Sequence, residues 1–227
     1  MNKERKIMKT QKKRVLLFLS CLSISLVLFG CAQKAYRMHP QFDLAYKNYN
    51  ILGLMLCDVN AYEITGLGVV ELKKEWCRIG KKNLVSALTD GLRKKNYRIK
   101  PLAKDKEIEE EITEIKAVYG AVSKSIQLHT YGPQLFPEKM KNFVYSLGPV
   151  ERILQKSGTD SLMFVRGIDH VLKGQEEAFI SVAFVDSSGT ILWYCEGGIR
   201  GEGGLRDPES ASKLVENVLA SFPGTSG

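Results

Sequence analysis

A strong turn signal between two apolar segments near the carboxyl end is the feature that most constrains this fold. The sequence DSSG at residues 186–189 closes the segment 177–189 and precedes the segment 190–198. Asp favours the first position of a type I turn, and Gly adopts the left-handed conformation that ends it. A further apolar segment covers residues 160–172. The pattern predicts three strands, two of which form an antiparallel hairpin over residues 179–195.

The preceding chain alternates between strand and helix patterns. A nearly continuous apolar run indicates a buried strand, and apolar residues three and four apart indicate helices. Strands are predicted over residues 50–60 and 97–102, a strand or loop over 63–71, and helices over 81–97, 104–126, 137–148 and 148–158. Asp207 and Pro208 suit the cap and first position of a last helix. This order predicts an α/β fold: a single domain whose mixed β-sheet ends in the antiparallel hairpin, with helices packed on it.

The helix predicted over residues 104–126 carries a single apolar stripe. Its members are Ile108, Ile112, Ile115, Tyr119, Val122 and Ile126. Such a stripe either packs on the sheet of its own domain or binds a partner. Trp76 either packs in the core or meets lipid or a partner, and the aromatic loop at residues 128–137 is a second candidate for an exposed partner-binding patch.

The chain opens with a pattern that predicts an export signal. Seven Lys and Arg residues and one Glu precede residues 15–29, which carry no charge. A positive segment, a short apolar segment and a small residue at the cut are the parts of a secretory signal peptide. The apolar run is shorter than the ~20 residues that span a bilayer as a helix. Residues 1–30 are therefore predicted to be removed, with Gly30 as the small residue at the cleavage site.

Leu28, Phe29, Gly30 and Cys31 resemble the bacterial lipobox, in which a Leu and a small residue precede an invariant Cys. The resemblance implies that the Cys31 thiol receives a diacylglyceryl group and that its amine, once freed, is acylated with a chain such as palmitate. A thiolate is the nucleophile that this chemistry needs, and several acyl chains anchor a protein more stably than one. The lipidated cysteine and a tether would then span residues 31–45, and the domain residues 46–227. The alternative is an uncleaved signal anchor.

The positive charge of the chain resides mostly in the predicted signal. The whole chain has 33 basic and 25 acidic residues, and removing seven and one leaves 26 and 24, a net charge of +2. The residues that remain show no basic stripe interleaved with aromatic side chains, the pattern of single-strand binders. Nucleic acid is therefore not an expected partner.

The titratable residues form no catalytic or metal-binding motif. Cys57, Cys77 and Cys195 lack CxxC spacing, and His39, His129 and His170 lack metal-ligand spacing. We expect no enzyme activity, catalytic residue, metal or cofactor. The three cysteines are either buried thiols or one disulfide and a third thiol, since an exported chain meets an oxidising compartment.

A glycine-rich segment at residues 197–209 is the candidate ligand site. Gly198, Arg200, Gly203 and Arg206 place exposed amides and two guanidinium groups just before the last helix. Backbone amides and a helix amino terminus can hold an anion. The alternative is a mobile connection between strand and helix.

Several of these segments together are similar to small bacterial envelope lipoproteins. The resemblance rests on Gly158-Thr159-Asp160 before a strand and on Asp186, Gly189 and the following Ile-Leu-Trp of the hairpin, and it spans about residues 46–222. The domain looks like the amino-terminal domain of the Tol-system translocation protein, also seen in the curli secretion lipoprotein. The resemblance implies a tethered module facing the periplasm that helps to assemble an envelope complex.

These observations predict a membrane-anchored lipoprotein with a non-enzymatic accessory or assembly role. The bilayer would hold the acylated Cys31, and the protein partner would be an unidentified envelope component or further copies of the chain. Ala32, a residue other than Asp after the cysteine, favours the outer membrane over the inner membrane under enterobacterial sorting. The alternative function is binding of an anionic glycan or lipid headgroup by residues 197–209.

Overall fold

The computed structural model describes residues 36–102, 105–131, 137–201 and 203–225. The predicted signal peptide with Gly30, the predicted lipidation site Cys31, and Ala32 lie outside the described residues.

Seven strands and six α-helices are found in these ranges. The strands are β1 (Tyr36–Met38), β2 (Ile51–Ile64), β3 (Val70–Leu72), β4 (Arg98–Pro101), β5 (Ser161–Leu172), β6 (Gln175–Val185) and β7 (Ile191–Arg200). The α-helices are α1 (Phe42–Ala45), α2 (Lys74–Arg93), α3 (Glu109–Tyr131), α4 (Pro137–Lys141), α5 (Glu151–Ser157) and α6 (Pro208–Leu219).

One mixed sheet contains all the described strands, in the order β1-β7-β6-β5-β2-β3, with β4 also paired to β2. β2 pairs in parallel with β4 and β5, and the remaining pairs are antiparallel. The predicted hairpin is confirmed: Asp186 Oδ1 accepts from Thr190 N at 2.9 Å, and Gly189 has φ 80°. The predicted fold class, a mixed α/β sheet with packed helices, is confirmed as well.

Helices cover both faces of the sheet, so there are two apolar cores. On one face, leucines of α2 such as Leu88 and residues of α6 such as Leu214 pack on β5, β6 and β7. On the other face, Ile115 of α3 and Ile153 of α5 pack on residues such as Phe164 of β5. Two covered faces explain why the middle of β5 is apolar without alternation.

Several predicted boundaries differ from the structure. α2 begins at Lys74, before the predicted residue 81, and α3 begins at Glu109 rather than at residue 104. α3 also continues to Tyr131 and so includes the first part of the predicted loop at 128–137. The helix predicted over residues 137–148 ends at Lys141.

Residues 36–45 belong to the folded domain, which differs from the tether predicted over residues 31–45. β1 pairs with β7, with Tyr36 opposite Cys195. Phe42 of α1 is only 2% exposed and contacts the rings of Phe184 and Phe222. The short polar segment gave no periodic signal because its order comes from distant residues.

Gly189→Ala is expected to destabilise the domain more than Gly174→Ala. Both glycines have φ 80°, which costs a residue with a Cβ about 1 kcal/mol. A Cβ at Gly174 meets nothing within 4 Å, whereas one at Gly189 would collide with the Gly148 carbonyl. We therefore expect Gly189→Ala to lower the free energy of unfolding by about 1–3 kcal/mol more in urea titrations. Equal losses would contradict the predicted collision.

Candidate functional site

The structure divides the predicted anion-binding segment between a strand and a turn. Gly198 and Arg200 lie on β7, opposite Phe179 and Glu177 of β6. Gly203 is left-handed and precedes a 3₁₀ turn that ends at Arg206. The four candidate residues therefore do not form one continuous loop.

The glycines of β7 make room for neighbouring side chains. A Cβ at Gly197 would lie 2.6 Å from Val218 Cγ2 of α6, and one at Gly198 would lie 2.6 Å from the Phe179 ring. Glycine in a strand often marks such a close approach. Consecutive residues of a strand direct their amides to opposite edges, so the amides of Gly197 and Gly198 do not converge on one anion.

Arg206 is the centre of a partly buried ion-pair cluster. It forms an ion pair with Glu176, and its Nε lies 3.5 Å from Asp169 Oδ2. Its guanidinium carbon lies 4.1 Å from the centre of the half-buried Trp76 ring, an attractive cation–π geometry. The cluster joins the ends of β5 and β6 to the start of α2. We refer to Asp169, Glu176, Arg206 and Trp76 as the Arg206 cluster.

Asp169 is the buried charge that this cluster accommodates. The residue is 1% exposed, and the Leu205 amide donates to its Oδ2 at 3.1 Å. Burial raises the pKa of Asp169, and the positive charge of Arg206 opposes that rise. The sequence signal for this role is weak, because Asp169 is distant from Arg206 along the chain.

Arg200, the second arginine predicted to bind an anion, lies outside the Arg206 cluster. It forms an ion pair with Glu177 at the surface, where its side chain is 83% exposed. Arg200 and Arg206 thus each face a carboxylate, and Asp207 caps α6 by accepting from Ser210 N at 2.7 Å. An anion at this place would have to displace these carboxylates.

The histidines are dispersed. His39 Nδ1 accepts from the Gln41 amide at 3.2 Å, His129 Nδ1 lies 2.9 Å from the Tyr145 hydroxyl, and the His170 ring packs near Tyr62. Within residues 36–102, 105–131, 137–201 and 203–225, no group of three His, Cys, Asp or Glu residues could hold a metal ion.

The three cysteines of the domain are packed separately. Cys195 is buried, Cys57 and Cys77 are half-buried, and no disulfide joins them in the described part of the chain. Burial raises the pKa of the Cys57 thiol to about 12. A thiol that stays protonated is a poor nucleophile, which fits a packing role for Cys57.

The apolar stripe of α3 packs on its own sheet, so the partner-binding interpretation of the stripe is wrong. Ile108, just before the helix, and Ile115, Tyr119 and Ile126 within it are buried. Sequence reasoning missed a polar network on the same face. Ser123 Oγ lies 2.9 Å from the Tyr194 hydroxyl and 3.4 Å from Ser181 Oγ.

Glu196 ends this network. Its Oε1 accepts from the Tyr194 hydroxyl and from Gln127 Nε2. Burial raises the pKa of Glu196, and the hydrogen bonds from Tyr194 and Gln127 oppose that rise. The signal that could have revealed the network is the spacing of Tyr119, Ser123 and Gln127, which recur every four residues on one helix face.

Of the described residues, the most exposed large apolar side chain lies in the hairpin between β2 and β3. Leu67 is 94% exposed, Val69 60% and Val70 58%. Residues 64–70 contain no charged side chain, and we call this segment the β2–β3 tip. Leu172 of β5, 44% exposed, is the pairing partner of Ile64 at its base.

The base of the tip carries one positive side chain between two negative ones. Lys73 Nζ lies 2.8 Å from a carboxylate oxygen of Glu63 and 2.8 Å from one of Glu71. These pairs place the nearest charges where β2 and β3 begin to diverge, so only apolar and neutral groups project beyond them.

Comparisons with known proteins give little support for any family. No family model matches the chain, and no curated protein matches it. One solved structure with similarity is a dodecamer of a PelC variant from Paraburkholderia phytofirmans. It is 14% identical, covers 86% of this chain and 100% of its own, and has a TM-score of 0.33, too low to support any inference. The resemblance to the Tol-system domain therefore stays a prediction. No helix in the described ranges is both long and apolar enough to cross a membrane.

Arg206→Met is expected to destabilise the domain strongly, and Arg200→Met hardly at all. The first change leaves Asp169 buried without its cation, which typically costs about 3 kcal/mol or more. The second removes an exposed surface pair. Urea unfolding at neutral pH measures both. The deficit of Arg206→Met should shrink in acid, because the unpaired Asp169 then becomes protonated; a deficit independent of pH would argue against the role of Asp169.

Glu196→Gln is expected to make stability less dependent on pH. The pKa of Glu196 is raised in the folded state, so the folded chain binds more protons than the unfolded chain across that window. Stability of the wild type should therefore fall as pH rises from the ordinary pKa of Glu to the raised one. Unfolding midpoints should show that the stability of Glu196→Gln rises relative to that of the wild type as pH increases across this range. Glu177→Gln, at an exposed pair, is the control.

Proposed function

We propose that this chain is a membrane-anchored bacterial lipoprotein that acts as a non-enzymatic accessory or assembly component of a cell-envelope complex. Acyl chains on Cys31 hold it in the bilayer, and its domain faces the periplasm from the outer membrane. Its protein partner is another envelope component or further copies of the chain.

The observation that carries the anchor is the position of Cys31. It follows an uncharged run and a small residue, after an opening that contains seven of the 33 basic residues. The domain adds support for a binding role. The charged groups that the sequence singled out, Arg200, Arg206 and Asp207, are occupied within the domain, and Leu67 is the most exposed large apolar side chain among the described residues. Exposed apolar surface is typical of interaction sites.

The geometry favours this function over binding of an anionic glycan or headgroup by residues 197–209. Arg206 is held by two carboxylates and an aromatic ring, and Arg200 points to Glu177. Breaking the Arg206 pairs to admit an anion would leave Asp169 buried and unpaired, which is costly.

The test is the intact mass of protein extracted from the membranes of a bacterial host that exports it. We expect a chain that begins at Cys31 and carries added acyl mass. Cys31→Ala should lose both the cleavage and the acyl mass. Cys57→Ala is the matched control and should keep them, because it leaves the predicted lipobox from Leu28 to Cys31 unchanged.

A full-length chain without acyl mass would refute the lipoprotein proposal. If the acylated chain is found, chemical cross-linking in the intact envelope then identifies the partner. Recovery of cross-linked products that contain only this chain would identify self-association.

A further inference from the structure

Helices α2 and α3 carry opposite charges on their outer surfaces. α2 (Lys74–Arg93) contains five Lys and Arg residues but only two Asp and Glu residues, one of which, Glu75, is paired with Arg78. α3 begins with four Glu residues and no cation within residues 109–114. Since α2 packs on one face of the sheet and α3 on the other, the domain presents a basic helix on one side and an acidic helix on the opposite side.

The outer surface of α2 carries cations that no other described residue neutralises. Lys81, Lys82 and Arg93 are exposed, and no ion pair or hydrogen bond joins their side chains to another described residue. Lys82, Ser86 and Arg93 are four and seven residues apart, so they lie on the same side of the helix. We call this outer surface of α2 the basic face.

The outer surface of α3, opposite its buried stripe, carries the matching anions. Glu109, Glu110 and Glu114 are exposed, and their carboxylates have no ion pair or hydrogen bond in the described ranges. Glu111, by contrast, lies 3.7 Å from Arg152 of α5. Residues four apart, such as Glu110 and Glu114, are neighbours on one side of a helix. We call this outer surface of α3 the acidic face.

Both faces also contain short side chains that allow close contact. Val85 and Ser86 are exposed between the cations of the basic face. Ala117, Val118 and Ala121 are exposed just after the carboxylates of the acidic face. Packed helices lie about 8–10 Å apart, depending on the side chains between them, and short side chains favour that approach. The two faces therefore combine opposite charges with surfaces that can pack together.

A second copy of the chain is the partner that these faces fit. Within one domain the sheet lies between the two helices, so the basic face cannot reach the acidic face. Between two copies the faces can meet, and their unlike charges then attract each other. Two basic faces would repel each other, as would two acidic faces. The favoured contact therefore joins different surfaces of the two copies, which makes it heterologous.

We propose that copies of this chain associate head to tail, with the basic face of α2 in one copy on the acidic face of α3 in the next. The inference names the partner that Proposed function leaves open, so it rests on the assembly role stated there. A pair of copies still presents one face of each kind. Association therefore continues until the rotation between copies closes a ring. Because salt screens exposed charges, association should weaken as ionic strength rises.

The test exchanges the charges of the two faces. Lys82→Glu with Arg93→Glu makes the basic face acidic, and Glu110→Lys with Glu114→Lys makes the acidic face basic. All four positions are exposed, so both double variants are expected to fold, which circular dichroism checks. The full acylated proteins are kept in an uncharged detergent, and sedimentation velocity at low salt measures their oligomeric state.

The matched control is Lys47→Glu with Lys173→Glu. It changes the net charge as much as Lys82→Glu with Arg93→Glu does, but at exposed positions outside α2 and α3. Loss of association through net charge alone would therefore affect the control equally, whereas loss of a specific contact would not.

We expect the wild type and the control to associate. Each double variant alone should have its apparent dissociation constant raised by about tenfold or more, since like charges placed across an interface are costly. An equimolar mixture of the two double variants should associate again, because every face then meets one of opposite charge. A double variant that does not fold is replaced by its single substitution, Lys82→Glu or Glu114→Lys, in the same mixing experiment.

Three results would overturn the head-to-tail contact. They are a wild type that sediments as a single copy, a folded double variant that associates as well as the wild type, and a mixture that does not associate. Each of them would leave another envelope component as the partner under Proposed function. The anchor is tested separately by intact mass, so a chain without acyl mass would refute the lipoprotein proposal whatever the sedimentation shows.

Discussion

The parallel pairing of β2 with β5 is the interaction on which the rest of the domain depends. Its register runs from Leu52 opposite Ser161 to Ile64 opposite Leu172, with one shift between Leu56 and Val59. Asp160 fixes its start, because one carboxylate oxygen accepts from the amides of Asn50 and Ile51 at 2.8 and 2.9 Å. Parallel strands need a long connection. Helices α2, α3, α4 and α5 lie in that connection and cover both faces of the sheet.

The parts of the fold that the sequence predicted well are those that local chemistry determines. The turn at Asp186 and the cap at Asp207 each bond to residues three or four positions away, so neighbouring letters are sufficient to recognise them. The start of α2 escaped prediction because Gly80 weakens the helical pattern. A Cβ at Gly80 would lie 3.2 Å from Leu205 Cβ, so a close approach from a distant segment favours the glycine. The burial of Phe42 also escaped prediction, because the rings that it contacts follow far along the chain.

The candidate site shows more clearly what could not be predicted from the sequence. Two arginines among glycines suggested a cradle for an anion, but the carboxylates that occupy them come from the ends of β5 and β6. Strand pairing brings Asp169, Glu176 and Glu177 close to the two arginines. No residue spacing in the sequence indicates that proximity. The polar network of Ser123, Tyr194 and Glu196 was hidden similarly, since it is divided between a helix and a strand distant in sequence. Buried polar groups of this kind need partners to be tolerated, and the tertiary fold supplies them.

The two ends of the sheet differ in whether their apolar side chains are buried. At the end where β2 begins, Phe42, Phe184, Trp193 and Phe222 pack ring against ring, with Trp193 and Phe222 centroids 4.9 Å apart. At the other end, the β2–β3 tip exposes Leu67 to water, where burial of such a side chain would be worth about 1.5–3 kcal/mol. β3 is also an edge strand, and an exposed apolar edge promotes unwanted pairing. The three-residue length of β3 and the charged pairs at its base limit that hazard.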